Sequence, residues 1–184
     1  TFDVPADVVE NFLSQKRFPF HEKGLLPNSY VLLRDQHDPN HFATGRYVET
    51  EKEIIPLRVP EQGVWGVKPR NVEQAFVLDA LLDDSISLVS LVGKAGTGKT
   101  LLALACGLQK TIDEGKYQKL LVSRPIFPLG KDIGYLPGEI EEKLNPWMQP
   151  IFDNVDYIVS FSGGEKPQKR PSRRAWQELI NQGM

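Results

Sequence analysis

The alternation of apolar and polar positions changes period several times along the chain, and each change marks a predicted element. Residues from Asp7 to Gln15 read as a short helix followed by a polar link. From Leu25 to Val59 the texture turns to short β-rich runs, with strands predicted at Tyr30 to Leu33, Phe42 to Val48 and Ile54 to Val59. The turn-rich segment Asp35 to Asn40 separates the first two. Three short strands at this spacing predict a small β-rich module of a size suited to a little barrel. Pro60 to Lys68 is a link punctuated by glycine and proline, and it contains Trp65. A helix then runs from Asn71 to about Leu82. Asn71 is a good N-cap residue, and Gln74 stands three positions on, as in a capping box.

The next run, Ile86 to Val92, is bounded by Asp83-Asp84-Ser85 and by glycine and reads as a buried strand. A glycine-rich loop follows, then Leu101, Leu104, Ala105, Leu108 and Ile112 at helical spacing, with Gly115 as a stop. Leu120 to Val122 reads as another strand. Strand, loop, helix and strand make a βαβ unit, which predicts a parallel sheet with a right-handed crossover. The remainder holds a Pro/Gly-rich loop (Arg124 to Gly138), two short helices (Glu139 to Leu144 and Trp147 to Val155), a polar Gly/Lys/Arg stretch and a last helix near Arg174 to Gln182. The fold class is therefore expected to be α/β: a three-layer domain over 60–184, preceded by the β-rich module over 24–59 and a helical remnant with linker over 1–23.

Composition narrows the field without deciding it. Of 184 residues, 40% are hydrophobic and 25% charged, which suits a protein able to bury a core. A formal net charge of −2 argues against a generally basic nucleic-acid coat but leaves room for a local basic patch. One cysteine, Cys106, excludes an internal disulfide and a cysteine-cluster metal site, and its place in an apolar helical pattern makes it a core residue. No apolar run is long enough to span a membrane and no signal-peptide pattern opens the chain, so the cytoplasm is the expected location. His37 and His41 flank Asp38-Pro39-Asn40 and are read as part of a surface turn, since no second ligand pair accompanies them. The chain starts at Thr1 without an initiator methionine and stops just after a helical stretch, which is read as the mark of a fragment.

The chemistry concentrates in Gly93-Lys94-Ala95-Gly96-Thr97-Gly98-Lys99-Thr100-Leu101. Gly-x4-Gly-Lys-Thr between a strand and a helix is a specific phosphate-binding pattern. Its glycines let the backbone wrap closely around phosphate oxygens, where a Cβ would obstruct. Backbone N–H groups and the positive end of the following helix then face the anion. Lys99 is assigned to the β- and γ-phosphates and Thr100 to Mg²⁺, which makes ATP with Mg the expected ligand pair. Hydrolysis further requires an acidic residue at the end of a neighbouring strand. Asp83 and Asp84 sit at the wrong end of the loop strand, and Leu120-Leu121-Val122-Ser123 carries no acid. Glu139, Glu141 and Glu142 read as a solvated helix face, and Asp153 and Asp156 follow a helical segment. The acidic strand is therefore expected beyond Met184, with nucleotide binding but little or no hydrolysis by this chain.

Four stretches go beyond a generic loop. They are Lys68-Pro-Arg-Asn-Val-Glu-Gln74, Gly93 to Ala105, Ser123-Arg-Pro-Ile-Phe-Pro-Leu-Gly-Lys-Asp-Ile-Gly-Tyr-Leu-Pro-Gly138, and Glu142-Lys-Leu-Asn-Pro-Trp-Met-Gln-Pro-Ile-Phe-Asp-Asn154. Over roughly residues 60 to 184 the sequence closely resembles the PhoH family of bacterial P-loop ATPases. That resemblance implies a P-loop NTPase parallel sheet flanked by helices, with a core like that of superfamily 1 helicases. It implies ATP turnover coupled to single-stranded RNA, and assembly into a homo-oligomeric, hexameric ring. The segment before residue 60 resembles the connector of the longer form that carries an N-terminal PIN nuclease domain. No acidic quartet of such a nuclease precedes it here. In the family the Asp-Glu strand follows a region matching Trp176 to Gly183, which agrees with an acid beyond Met184.

Individual residues carry paired readings. Gln74 either reads adenine by paired hydrogen bonds or serves the capping box, with Arg70 and Asn71 bordering the base in the first case. Arg124, after a strand expected beside the loop strand, faces either phosphate or RNA backbone, or forms an ion pair at the sheet edge. Lys131, Asp132 and Tyr135 lie in a loop that either touches RNA or a neighbouring subunit or is rigid packing shaped by Pro125, Pro128 and Pro137. Trp147 is read as core. Lys166, Lys169, Arg170, Arg173 and Arg174 form a basic stretch that either binds phosphate backbone or is a solvated loop. The leading function is an ATPase coupled to RNA. The alternatives are a nucleotide-dependent sensor or ring-assembly module without turnover, and a small-molecule phosphotransferase.

Overall fold

The computed structural model describes residues 1–20, 24–125 and 140–162, with backbone alone for 140–147, 161 and 162. The chain divides into two compact units, Thr1–Val59 with Arg70–Ala80, and Pro60–Pro69 with Leu81–Met184.

The first unit is built on a five-stranded sheet. Its strands are β1 (Phe2–Val4), β2 (Phe18–Pro19), β3 (Tyr30–Asp35), β4 (Phe42–Val48) and β5 (Glu53–Pro56), in spatial order β1-β3-β4-β5-β2. β1 pairs parallel to β3 (Phe2 opposite Leu33) and all other pairs are antiparallel. Alternation does what the sequence pattern predicts in β3, where Val31, Leu33 and Asp35 turn inward and their neighbours stay partly exposed. The strand predicted over Ile54 to Val59 begins one residue earlier and leaves the ladder at Pro56. Helix α1 (Ala6–Gln15) starts after Pro5 and stops where Lys16 turns left-handed, its N–H bonding Phe12 O at 2.9 Å. Val9 and Phe12 of α1 join Val31, Leu33, Ala43, Tyr47 and Ile54 in one core. Gly45 of β4 lies under this helix. A Cβ there would come within 2.5 Å of Ile54 Cγ2, 2.8 Å of Ile55 O and 2.9 Å of Phe12 Cζ.

Helix α2 (Val72–Leu82) contributes a buried acid to the same unit. Asp79 accepts hydrogen bonds from Tyr30 Oη (2.9 Å) and the Arg58 backbone N–H (2.7 Å), and Arg46 Nε lies 3.3 Å from its Oδ2. Phe76 stacks on Tyr30 with ring centroids 4.7 Å apart. In the β3–β4 turn, buried Asp35 accepts from the His37 N–H at 2.8 Å and faces His41 Nδ1 at 2.9 Å. These contacts, the His37 N–H foremost, hold the Asp35 carboxyl below its ordinary value. The His37 and His41 segment is thus a turn, and the described residues hold no metal-binding cluster.

The second unit contains the link 60–69, which is an ordered tight turn. Val64 and Val67 exchange N–H···O bonds at 3.0 and 2.9 Å, with Trp65 (φ 50°) and Gly66 (φ 73°) at the corner. Helix α3 (Lys99–Leu108) buries Leu102, Leu104, Ala105, Cys106 and Leu108 and continues as a π-helical turn, Gln109–Asp113, before Gly115 at φ 60°. Helix α4 (Ile140–Ser162) packs against α3 and buries Ile151, Val155 and Ile158.

One expectation for this unit is corrected, and a second finds no ladder among the described residues. The two short helices over Glu139 to Leu144 and Trp147 to Val155 are parts of α4, which runs through Pro146 and Pro150. A proline costs its helix one hydrogen bond and a local bend, and here packing against α3 outweighs that local signal. The runs Ile86–Val92 and Leu120–Val122 form no ladder among the described residues, so no parallel sheet is seen there. Leu88, Val92 and Leu121 are 86%, 95% and 86% exposed. A β-rich run needs a partner's N–H and C=O groups to become a strand, and hydrophobic pattern alone does not supply one. The architecture of the described residues is mixed α/β, and no helix among them is long and apolar enough to cross a membrane.

Candidate functional site

The glycine loop is built by positions that other residues would resist. Gly96 and Gly98 take φ of 77° and 83°, in the left-handed region. Gly98 caps α3, its carbonyl accepting the Leu102 N–H at 2.9 Å. A Cβ on Gly96 would meet nothing within 4 Å, so its glycine serves backbone conformation rather than room. The loop closes on itself through Thr97, whose Oγ1 donates to Lys94 O at 2.9 Å.

Lys99, the first residue of α3, turns its ammonium across this loop. Nζ donates to Gly93 O (3.0 Å), Lys94 O (2.6 Å) and Thr97 Oγ1 (3.1 Å). A full positive charge is thereby held over a turn of backbone by neutral acceptors, beside the positive end of a ten-residue helix. An anion arriving there would meet a charge that neutral oxygens compensate only in part. Thr100 follows with its side chain exposed.

Lys99 and Thr100 line a cleft of about 630 Å³ together with Arg124. Val89 and Leu91 line it from the run before the loop, and Leu121 and Val122 from the run before Arg124. Ile151 and Asn154 of α4 contribute too, the Asn154 amide being held by Pro150 O at 2.5 Å. Among the described residues, none that lines it is a carboxylate. The structure thus brings Lys99, Thr100 and Arg124 to one cavity.

Asn71 and Gln74 belong to the first unit and are engaged with each other's turn. The Gln74 N–H bonds Asn71 Oδ1 at 2.9 Å, and Gln74 Oε1 accepts from the Arg70 N–H at 2.8 Å. This is the capping arrangement, with the reciprocal bond one residue earlier than the usual form. Lys131, Asp132, Tyr135, the basic stretch Lys166 to Arg174 and the predicted last helix lie outside the described residues, as does the side chain of Trp147.

Sequence reasoning missed a cluster behind the loop. Lys110, 7% exposed, donates from Nζ to Leu82 O at 2.7 Å and pairs with Asp84 Oδ1. Lys116 Nζ reaches the other Asp84 oxygen at 2.5 Å and Glu114 at 3.2 Å. Both lysines hold the Asp84 carboxyl below its ordinary value, and Asp84 in turn raises Lys116. The residues involved are 26 and 32 positions apart, so no local pattern announces them. The neighbouring Cys106 thiol is pushed up to about 12 by burial.

The family model described as PhoH-like protein matches residues 66–177. The chain belongs to the PhoH family. Over 139 residues it is 53% identical to Protein PhoH2 of Bacillus subtilis (strain 168), an alignment covering 76% of this chain and 31% of that protein. Over 159 residues it is 45% identical to Protein PhoH2 of Mycolicibacterium smegmatis, covering 86% and 36% respectively. A PhoH-like protein of Bacillus subtilis is 32% identical over 83 residues, covering 45% and 26%. The chain therefore spans about a third of the length of the PhoH2 relatives it matches. No solved structure gives a significant match. The PhoH match takes in the glycine loop, the π turn with Lys110, and Arg124.

Proposed function

We propose that this PhoH chain binds ATP through the Gly93–Thr100 loop. The observation that carries the reading is the Lys99 ammonium held across a left-handed glycine loop at the head of α3 and at the edge of the cleft. The residues fit the ligand: Lys99 and Arg124 supply positive charge for phosphate oxygens, and loop N–H groups supply neutral donors. Thr100 offers a hydroxyl to Mg²⁺, whose chemistry when bound is to neutralise developing phosphate charge. Membership in the PhoH family, an ATPase-like family, supports the same reading. The Gln74 amide, expected from the sequence either to read adenine or to cap, accepts the Arg70 N–H in the capping role.

In this reading Ile86–Val92 and Leu120–Val122 are strands of a parallel P-loop sheet, and the exposed Leu88, Val92 and Leu121 are its unpaired apolar positions. ATP hydrolysis coupled to single-stranded RNA, in a homo-oligomeric ring, completes the proposal and is supported by the family resemblance. A second reading is nucleotide sensing without turnover.

The test is nucleotide binding by this chain and ATP hydrolysis by the full-length protein, each with and without single-stranded RNA, and with Lys99→Ala as control. Binding lost in Lys99→Ala supports the loop assignment. RNA-stimulated turnover supports the coupled ATPase, and binding without turnover supports the sensor. Equal binding by parent and Lys99→Ala would refute the site.

A further inference from the structure

We infer that Lys110 and Asp84 form a clamp that positions the phosphate loop and so sets the affinity of this site for the β- and γ-phosphates of a nucleotide. The inference rests on the nucleotide reading above and deepens it.

The loop segment is fixed at both of its ends. The segment enters through Ile86–Val92 and leaves through α3. The entering leg is anchored at its start. There Asp83 Oδ1 accepts from the Ser85 N–H (2.9 Å) and Ser85 Oγ (2.7 Å), and the Ile86 N–H bonds Asp83 O at 3.1 Å. Asp84, in the middle of that turn, is held on one oxygen by Lys110 and on the other by Lys116. The Lys110 ammonium also takes Leu82 O, an orphan carbonyl at the end of α2.

The leaving leg is fixed by the same two lysines. Lys110 stands four residues after Cys106 and is buried in the π turn that follows α3. The π turn widens the helix, closing through the Glu114 N–H to Gln109 O at 2.9 Å. It returns the chain so that the Lys116 N–H bonds Lys110 O at 2.9 Å, setting the two ammonium groups beside one carboxylate. Residues 84 and 110 thus close a ring of chain with the glycine loop at its far side. Between Lys110 and Lys99 runs one helix about 15 Å long, stiff enough to carry a displacement from one end to the other.

An ammonium buried this deeply is costly unless fully paired. Capping the end of α2 alone would need only a glycine or a water. Joining the start of one leg to the end of the other needs a long side chain from a distant segment, which is what Lys110 supplies. Phosphate-binding donors act well only when held to about half an ångström, and a shift of about 1 Å costs them much of their effect.

The test compares Lys110→Met, Lys110→Arg and Asp84→Asn with the parent for binding of ATP, ADP and inorganic pyrophosphate, at a temperature well below each variant's melting point. Lys110→Met is expected to weaken ATP about tenfold and pyrophosphate by the same factor. Asp84→Asn weakens both about threefold to fivefold, and Lys110→Arg recovers binding to within about threefold of the parent. Equal loss for ATP and pyrophosphate is the readout that a purely structural role would not produce in a folded variant. Should Lys110→Met fail to fold, Asp84→Asn, whose side chain is partly exposed, decides the matter. If the folded clamp variants bind ATP and pyrophosphate within twofold of the parent while Lys99→Ala abolishes binding, the clamp inference falls and the nucleotide reading stands. If Lys99→Ala binds like the parent, the nucleotide reading falls and takes the clamp with it.

Discussion

Replacing Asp79 with alanine asks how much of the first unit's stability passes through one carboxylate. Asp79 is 1% exposed and its partner Arg46 is 3% exposed. The change removes an acceptor of two hydrogen bonds, from Tyr30 Oη and the Arg58 N–H, and takes a buried ion-pair partner from the Arg46 guanidinium. Hydrogen bonds to a charged group contribute about 1.5–3 kcal/mol each, and removing one partner of a buried ion pair costs about 3–5 kcal/mol. The two figures overlap, because one carboxylate serves every donor. Arg46 also keeps a long contact from Nη1 to Asn28 Oδ1 at 3.5 Å. The expected cost is therefore about 3–4 kcal/mol, more than a hundredfold in the opening equilibrium. Native-state hydrogen exchange on the β3 and β4 ladder amides measures it, since those amides report opening of this sheet. The double variant Asp79→Ala/Arg46→Met, which removes the buried guanidinium as well, should be more stable than Asp79→Ala alone. Exchange within fivefold of the parent in Asp79→Ala, or simple additivity in the double variant, would refute the reasoning.

Three further outcomes follow from the geometry. Gly45→Ala should cost about 1–3 kcal/mol and lower the melting temperature, because the new methyl meets a backbone oxygen and two packed side chains. Cys106 should resist thiol reagents in the native protein at pH 8 and react on denaturation. Its pKa is raised in the fold, so the linked stability is complete below the ordinary value of 9.0 and falls by about 1.4 kcal/mol per pH unit from there toward about 12, a slope that Cys106→Ala should remove in denaturant titrations. Asp35 is the opposite case: its pKa is lowered, so its contribution is present above the ordinary value of 3.8 and lost as pH falls through the folded value. Asp35→Asn should therefore lower the melting temperature at pH 7 and flatten its decline below pH 4.

What the sequence made legible was local. The α1, β3 and β4 segments declared themselves by period, and the loop by spacing, because those signals lie within a dozen residues. β1 and β2 were invisible: strands of three and two residues have too few positions to alternate. The capping role of Asn71 and Gln74 was readable because it spans four positions. The Lys110–Asp84 and Arg46–Asp79 pairs were not, because each joins segments that only the folded chain brings together. Pro146 and Pro150 misled for a related reason: a residue's local preference to stop a helix says nothing of the partner helix that rewards continuing it.

The course of the chain between the two units bears on how this protein could be cut or recombined. It passes from one unit to the other after Val59, after Pro69 and again after Ala80. A gene junction placed at residue 59 would transplant Arg46 and Tyr30 without the acid that they bury against. The sheet is thus not a portable cassette: any graft, protease-defined fragment or chimera that keeps it folded must carry residues 70–80 along.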